Sequence, residues 1–200
     1  MIKVIYFDLG GVLFENGTKN AIEFLVQTFS INRRSLKKIF YGPLSWDLRA
    51  GKIDSQSYWE KMSDQYPSIC NVLDIKKIWY SFFRLNPTVW EFTKILCKQY
   101  PLGIFSGNIE DRVNYLESKF QFKSLFTYEI YSYIYGLNKL NEKLFRIAVD
   151  MCKCDPSEIL FIDDGQDCLN IAKQLGAHTF LYQGDLKFGL EQYGIQLSTH

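Results

Sequence analysis

The stretch Met1-Ile2-Lys3-Val4-Ile5-Tyr6-Phe7-Asp8-Leu9-Gly10-Gly11-Val12-Leu13 decides the fold. Residues 2–7 are apolar and β-branched, the composition of a short buried strand. Asp8 ends the run and Gly10-Gly11 breaks it. In an open parallel sheet, ligands bind beyond the C-terminal ends of the strands. A carboxylate at such an end is therefore a candidate for chemistry, provided the remaining sequence supplies the other strands.

The second half of the chain supplies them. Pro87 opens a helix carrying Val89 to Gln99, and Leu102–Phe105 reads as a strand. A helix with Val113, Leu116 and Phe120 follows, then a strand over Tyr128–Tyr133. A helix marked by Leu144, Ala148 and Met151 leads to a strand at Ile159–Ile162. Cys168, Ile171, Ala172 and Leu175 mark a further helix, and Thr179–Tyr182 a last strand. Strands separated by helices of this length imply parallel βαβ units. The intervening segment is helical throughout. Ile22, Leu25, Val26 and Phe29 recur at helical spacing, as do Leu36, Ile39 and Phe40. Asp54-Ser55 caps a third helix with Tyr58, Trp59 and Met62, ended by Pro67. Ile75, Ile78, Trp79, Phe82 and Phe83 mark a fourth. The expected architecture is α/β: a Rossmann-like three-layer core with a parallel sheet, formed by residues 1–15 and 87–200. A four-helix cap subdomain over residues 16–86 interrupts it.

Composition narrows the function. The 200 residues carry 23 lysines and arginines against 22 aspartates and glutamates, a net charge of +1. No global field favours nucleic acid or an anionic membrane surface, so neither partner is expected. Apolar runs such as Ile159–Ile162 fall far short of the roughly 20 residues a bilayer span needs. The first residues lack the long apolar segment of a signal peptide. Five cysteines, Cys70, Cys97, Cys152, Cys154 and Cys168, are an odd, scattered set, as expected of free thiols in a reducing cytoplasm. The only histidines are His178 and His200, so histidine-centred catalysis is poorly supplied. A monomer or homodimer is the expected state.

Three strands end in polar residues: Asp8 after Phe7, Ser106 after Phe105, and Asp163-Asp164 after Ile162. Lys139 follows Gly136 in a loop. Acidic strand ends offer oxygen ligands suited to Mg²⁺. A cation there would bring a phosphate oxygen within reach of an attacking carboxylate.

In order along the chain, Phe7-Asp8-Leu9-Gly10-Gly11, Ile104-Phe105-Ser106-Gly107-Asn108, Gly136-Leu137-Asn138-Lys139-Leu140 and Leu160-Phe161-Ile162-Asp163-Asp164 resemble the four motifs of the haloacid dehalogenase superfamily. The helical insertion looks like that family's C1-type cap. The resemblance implies that Asp8 is a nucleophile forming an aspartyl-phosphate and a Mg²⁺ ligand. Ser106, with Gly107 and Asn108 beside it, would hold the phosphoryl group, and Lys139 would offset its charge. Asp164, Asp163 and the backbone carbonyl of Gly10 would complete the metal site. Arg49 or Lys52, on the cap turn Trp46–Ile53, would meet a second anionic group, unless both are solvated turn charges.

The family's pattern is broken at Gly10, where phosphatases of the family carry a second aspartate that protonates the leaving group. Leu140 replaces the usual proline, and Cys168 stands where an asparagine or aspartate is common. The expected function is a Mg²⁺-dependent phosphatase acting on a small phosphorylated metabolite. The alternatives are a weak or inactive binding protein, because of Gly10, and a haloacid dehalogenase.

Overall fold

β1 (Val4–Phe7) lies at the centre of a five-stranded sheet in the computed structural model, which describes residues 1–71 and 73–197. His200 lies outside the described residues. The other strands are β2 (Leu102–Ser106), β3 (Tyr128–Tyr131), β4 (Ile159–Asp163) and β5 (His178–Leu181). Their spatial order is β3-β2-β1-β4-β5, and every neighbouring pair is parallel. Phe7 stands opposite Ile104 on one side and Ile162 on the other. This register brings Asp8, Ser106 and Asp163 to one edge of the sheet.

Two apolar layers cover the sheet, in keeping with the period of two along a strand. Val4 and Tyr6 pack with Phe105, Phe161, Leu144, Phe145 and Leu169. Ile5 and Phe7 belong to the opposite layer, with Leu102, Ile104 and Ile162. That second layer runs without a break into Leu25, Phe40, Tyr58 and Trp79 of the inserted helices.

The helices between β1 and β2 are α1 (Gly17–Phe29), α2 (Arg33–Tyr41), α3 (Pro43–Arg49), α4 (Ser55–Gln65), α5 (Pro67–Cys70) and α6 (Ile75–Ser81). The expected four are α1, α2, α4 and α6. The further two, α3 and α5, are short and each begins with a proline at its first helical position. Pro67, read in the sequence as the end of a helix, therefore also starts one, and Pro43 does the same after α2. Asp54 caps α4 as expected, accepting from the Ser57 N–H at 2.7 Å. The insertion leaves and re-enters the core through paired chain. Glu15 N donates to Arg84 O at 2.8 Å and Asn86 N to Leu13 O at 2.9 Å.

α7 (Pro87–Leu96) precedes β2, and α8 (Glu110–Phe120), α9 (Glu142–Cys152), α10 (Gln166–Gln174) and α11 (Leu186–Glu191) follow it. α7 ends sooner than its expected Gln99. β3 stops at Tyr131, where the sequence suggested a strand to Tyr133. Residues Ser132–Ile134 instead form a 3₁₀ turn, and the Ser132 hydroxyl donates to the carbonyl of Arg49. A contact with the inserted helices thus ends the strand, which no local pattern reveals. Among the described residues no helix is long and apolar enough to cross a membrane. All five cysteines are free.

Gly103, inside β2, is explained by β1. A β-carbon there would run into the ring of Tyr6, whose hydroxyl is tied to the Ala148 carbonyl at 2.8 Å. The expected outcome of Gly103→Ala is a loss of about 1–3 kcal/mol, the usual cost of overpacking a full core. Urea denaturation checks this; a loss under about 0.5 kcal/mol, the range of ordinary surface changes, would contradict it.

Candidate active site

Asp8, Asp163 and Asp164 form the one cluster of three potential metal-ligating side chains among the described residues, with ligand atoms all within 4.8 Å of one another. β1 and β4 are adjacent, so their C-terminal residues meet as a consequence of sheet order. Lys139 neutralises part of this charge. Its Nζ lies 2.8 Å from Asp8 Oδ1 and 2.7 Å from Asp163 Oδ2. Asp8 Oδ1 also accepts the Leu9 N–H at 2.7 Å, and Asp163 Oδ1 accepts the Gly165 N–H at 2.8 Å. Asp8 Oδ2 has no protein donor among the described residues. Asp164 accepts from the Asn16 side chain at 3.3 Å.

Two glycines make the cluster possible. Gly11 has φ +89, and a β-carbon there would collide with the Asp164 carboxylate. A β-carbon at Gly107 would lie 2.9 Å from Lys139 Cβ, so glycine leaves room for the lysine stem. Lys139 itself comes from the loop after Gly136, which has φ +68. Leu140, in place of the expected proline, is exposed at the cavity rim.

The electrostatics follow from burial and proximity. Burial pushes the Asp8 carboxyl up to about 6, opposed by Lys139 and reinforced by Asp163 and Asp164. Asp164 is raised by burial and by Asp163. Burial works against the Lys139 ammonium, but Asp163 and Asp8 more than offset that and raise its pKa. The Cys168 thiol, buried beside them, is pushed up by burial and stays neutral. Three carboxylates against one ammonium leave an excess negative charge, and a hard divalent cation suits both the charge and the oxygen donor set. Asp8, Asp163 and Asp164 are the side chains that fit it.

These groups line one end of a cavity of about 380 Å³ between the sheet edge and the inserted helices. Ser106, Gly107 and Asn108 line it too, as does Gly10. Ser106 does not cap α8, which begins at Glu110. The Asn108 side chain is turned inward: its Oδ1 accepts from the Ile109 N–H at 2.9 Å and from Arg112 Nε at 2.6 Å. Arg49 reaches the cavity from α3 and is 9% exposed; its Nη1 donates to the Gly107 carbonyl at 3.0 Å. Lys52 does not join it, being exposed beside Asp47 at 3.5 Å. Trp46 lines the cavity, whereas Trp79 is fully buried and structural.

Sequence reasoning missed Arg112. It lies 2% exposed on the first turn of α8, lining the cavity one helical turn beyond Asn108. An Asn-x-x-x-Arg spacing after the second motif was its only sequence signal. Phe83 was read as plain core, yet its ring fills the space beside Gly10, where a β-carbon would lie 3.4 Å from Cε1. A wider groove of about 850 Å³, lined by Trp59 and Lys76 on the inserted helices, holds none of these groups.

A family model described as haloacid dehalogenase-like hydrolase matches residues 2–176. The chain is 26% identical to D-ribitol-5-phosphate phosphatase of Bacteroides thetaiotaomicron, over 90% of this chain and 91% of that one. It is 27% identical to an uncharacterised Dictyostelium discoideum protein, covering 96% of each. A solved haloacid dehalogenase family enzyme from Bacteroides thetaiotaomicron, in complex with magnesium and inorganic phosphate, superposes with a TM-score of 0.75 at 20% identity, covering 95% of this chain and 99% of that one. L-2-haloacid dehalogenase of Xanthobacter autotrophicus, with chloropropionic acid covalently bound, gives 0.67 at 14% identity, covering 100% and 85%. One fold therefore carries both phosphorus- and carbon-centred chemistry, and the site residues have to discriminate.

Lys139→Met removes the cation from a largely buried cluster. The expected loss is about 3–5 kcal/mol, that of breaking a buried ion pair. Asp8 has a raised carboxyl in the folded state, so the folded protein binds more protons than the unfolded chain, and stability falls as pH rises from the ordinary carboxylate range to about 6 and levels off above it. Lys139 lowers the Asp8 carboxyl, so its removal moves that range upwards. In the variant the deficit should accordingly shrink as pH falls from 7 to 5. Chemical denaturation at both pH values checks it, and a deficit that grows on acidification would refute it.

Proposed function

The chain belongs to the haloacid dehalogenase-like hydrolases, and from that premise we propose that it is a Mg²⁺-dependent phosphatase of small phosphorylated metabolites, working through an aspartyl-phosphate on Asp8. The observation that carries this reading is the carboxylate cluster of Asp8, Asp163 and Asp164 with Lys139 inside it. A carbon-centred displacement at Asp8 leaves Asp163 and Asp164 without a task, whereas a phosphate dianion cannot approach this much negative charge unless a cation offsets it. The similarity to a sugar-alcohol phosphate phosphatase points the same way.

In this reading Asp8, Asp164, Asp163 and the Gly10 carbonyl hold the Mg²⁺. When bound, the ion supplies Lewis-acid polarisation of the phosphoryl group. Lys139 holds Asp8 Oδ1, which leaves Oδ2 to attack phosphorus. The new P–O bond forms as the bond to the substrate alcohol breaks. Ser106, Gly107 and Asn108 sit where the phosphoryl oxygens are held. Water then attacks the aspartyl-phosphate, releasing inorganic phosphate and restoring Asp8. Residues 16–86 act as a cap over the core of 1–15 and 87–200, with Arg49 and Trp46 facing the substrate. The free cysteines fit a cytoplasmic enzyme.

Gly10 supplies no proton to the departing alcohol, and the residue beside it, Phe83, has no proton to give either. The departing oxygen has to carry its own charge until solvent or the substrate protonates it. General acid help is worth about 10²–10⁴-fold, so slow turnover of poor leaving groups is the cost.

Asp8→Asn should abolish hydrolysis of p-nitrophenyl phosphate, and chelation of divalent ions should abolish it reversibly, with Mg²⁺ restoring it. Hydrolysis that survives Asp8→Asn would end this reading. Across a series of aryl phosphates, kcat/KM should fall steeply as the phenol becomes less acidic, and Gly10→Asp should flatten that dependence. A flat dependence in the native enzyme would show that another group donates the proton.

A further inference from the structure

Arg49 and Arg112 are buried cations without carboxylate partners. Neither forms an ion pair among the described residues. Arg49 is held by the carbonyls of Gly107, at 3.0 Å, and Phe40, at 3.4 Å. Arg112 is held by Asn108 Oδ1 at 2.6 Å. Their remaining contacts are aromatic faces. The indole of Trp79 lies between them, 5.7 Å from the Arg49 guanidinium and 4.6 Å from that of Arg112, and Phe83 lies 4.1 Å from Arg112. Arg49 Nε and Arg112 Nη1 are buried with no hydrogen-bond partner.

Burying an unpaired charge is costly, and native structures rarely do it without a ligand or partner. Here two like charges share one wall of one cavity. Burial, and for Arg112 the neighbouring Arg49 as well, works against the charged form. The Asp8 cluster lines the same cavity, and Asp8 is among the groups that favour the charged form of both arginines. The cavity therefore carries both signs of charge: three carboxylates with Lys139, and two guanidinium groups that no carboxylate contacts directly. A guanidinium fork matches carboxylate and phosphate oxygens in geometry.

We propose that Arg49 and Arg112 form a second anion subsite, so that the substrate is a small phosphorylated metabolite carrying a further carboxylate or phosphate. The proposal rests on the phosphatase reading for the first phosphate. Arg49 comes from α3 and Arg112 from α8, so the second anion bridges the inserted helices and the core. Bound there, it offsets the repulsion between the two arginines. The cavity volume limits the ligand to a few carbons between its two charged groups.

The test uses matched substrates with a common leaving group: 3-phosphoglycerate against glycerol 3-phosphate for a carboxylate, and fructose 1,6-bisphosphate against fructose 6-phosphate for a second phosphate. At least one doubly charged member should exceed its partner in kcat/KM by about 10–100-fold, the value of a charge-assisted hydrogen bond or two. The pair that shows the gap identifies the anion. Arg112→Met and Arg49→Met should each cut that ratio at least about tenfold, and Arg112→Lys should retain part of it. Lys52→Met, at an exposed turn away from the cavity, should leave it unchanged. Thermal shift with the same four compounds reads binding apart from turnover. Stronger stabilisation by the doubly charged members, lost in Arg112→Met and Arg49→Met, supports the subsite even where no ester is hydrolysed; that result would sink the phosphatase reading alone. Equal kcat/KM within each pair together with equal thermal shifts, or a ratio that survives both arginine substitutions, overturns the subsite.

Discussion

The ammonium of Lys139, 2.8 Å from Asp8 and 2.7 Å from Asp163, is the interaction on which the site depends. β1 and β4 are neighbours in the sheet, so their terminal carboxylates are forced together at a buried edge. Without a cation between them, each would favour its neutral form or disrupt the strand ends. Lys139 is placed to prevent this by the loop after β3, and Gly107 leaves room for its stem. It leaves one oxygen of Asp8 uncommitted. The same contacts thus hold the sheet edge together and leave that oxygen free on the cavity side.

Charge is distributed unevenly across the cavity. The net charge of the chain is close to zero, yet the cavity is lined by a carboxylate cluster from the sheet and by Arg49 and Arg112. Trp79 lies within 6 Å of both guanidinium groups, and Thr18 fixes its indole, accepting from Nε1 at 3.0 Å. Phe83 stands against Arg112 and also over Gly10 and Gly17. The glycine that departs from the family's first motif therefore has an aromatic neighbour from the inserted segment, in ordinary contact distance of where a side chain would begin. Gly10 and Arg112 thus stand beside one ring.

The inserted helices also share an apolar layer with one face of the sheet. Arg49 sits on this seam, with its guanidinium on Gly107 and its backbone carbonyl on Ser132. A side chain that lines the cavity therefore also ties the two parts of the chain together.

The sequence by itself determined the strand at Val4–Phe7, the parallel α/β core and the helical insertion, because burial imposes a period on apolar residues that survives without tertiary information. It also determined the polar strand ends at Asp8, Ser106 and Asp163-Asp164, because residues beyond a buried strand are forced to one edge by register. It undercounted the inserted helices, since prolines at 43 and 67 both end one segment and begin another. It could not decide between Arg49 and Lys52, three residues apart on one turn. Only the tertiary structure did, by burying one against Gly107 and leaving the other in solvent. Beyond the Asn108-x-x-x-Arg112 spacing it did not indicate that Arg112 belongs to the cavity, nor that Phe83 lies beside Gly10. Both depend on which helix faces which strand end, and long-range packing of that kind leaves no local period to read.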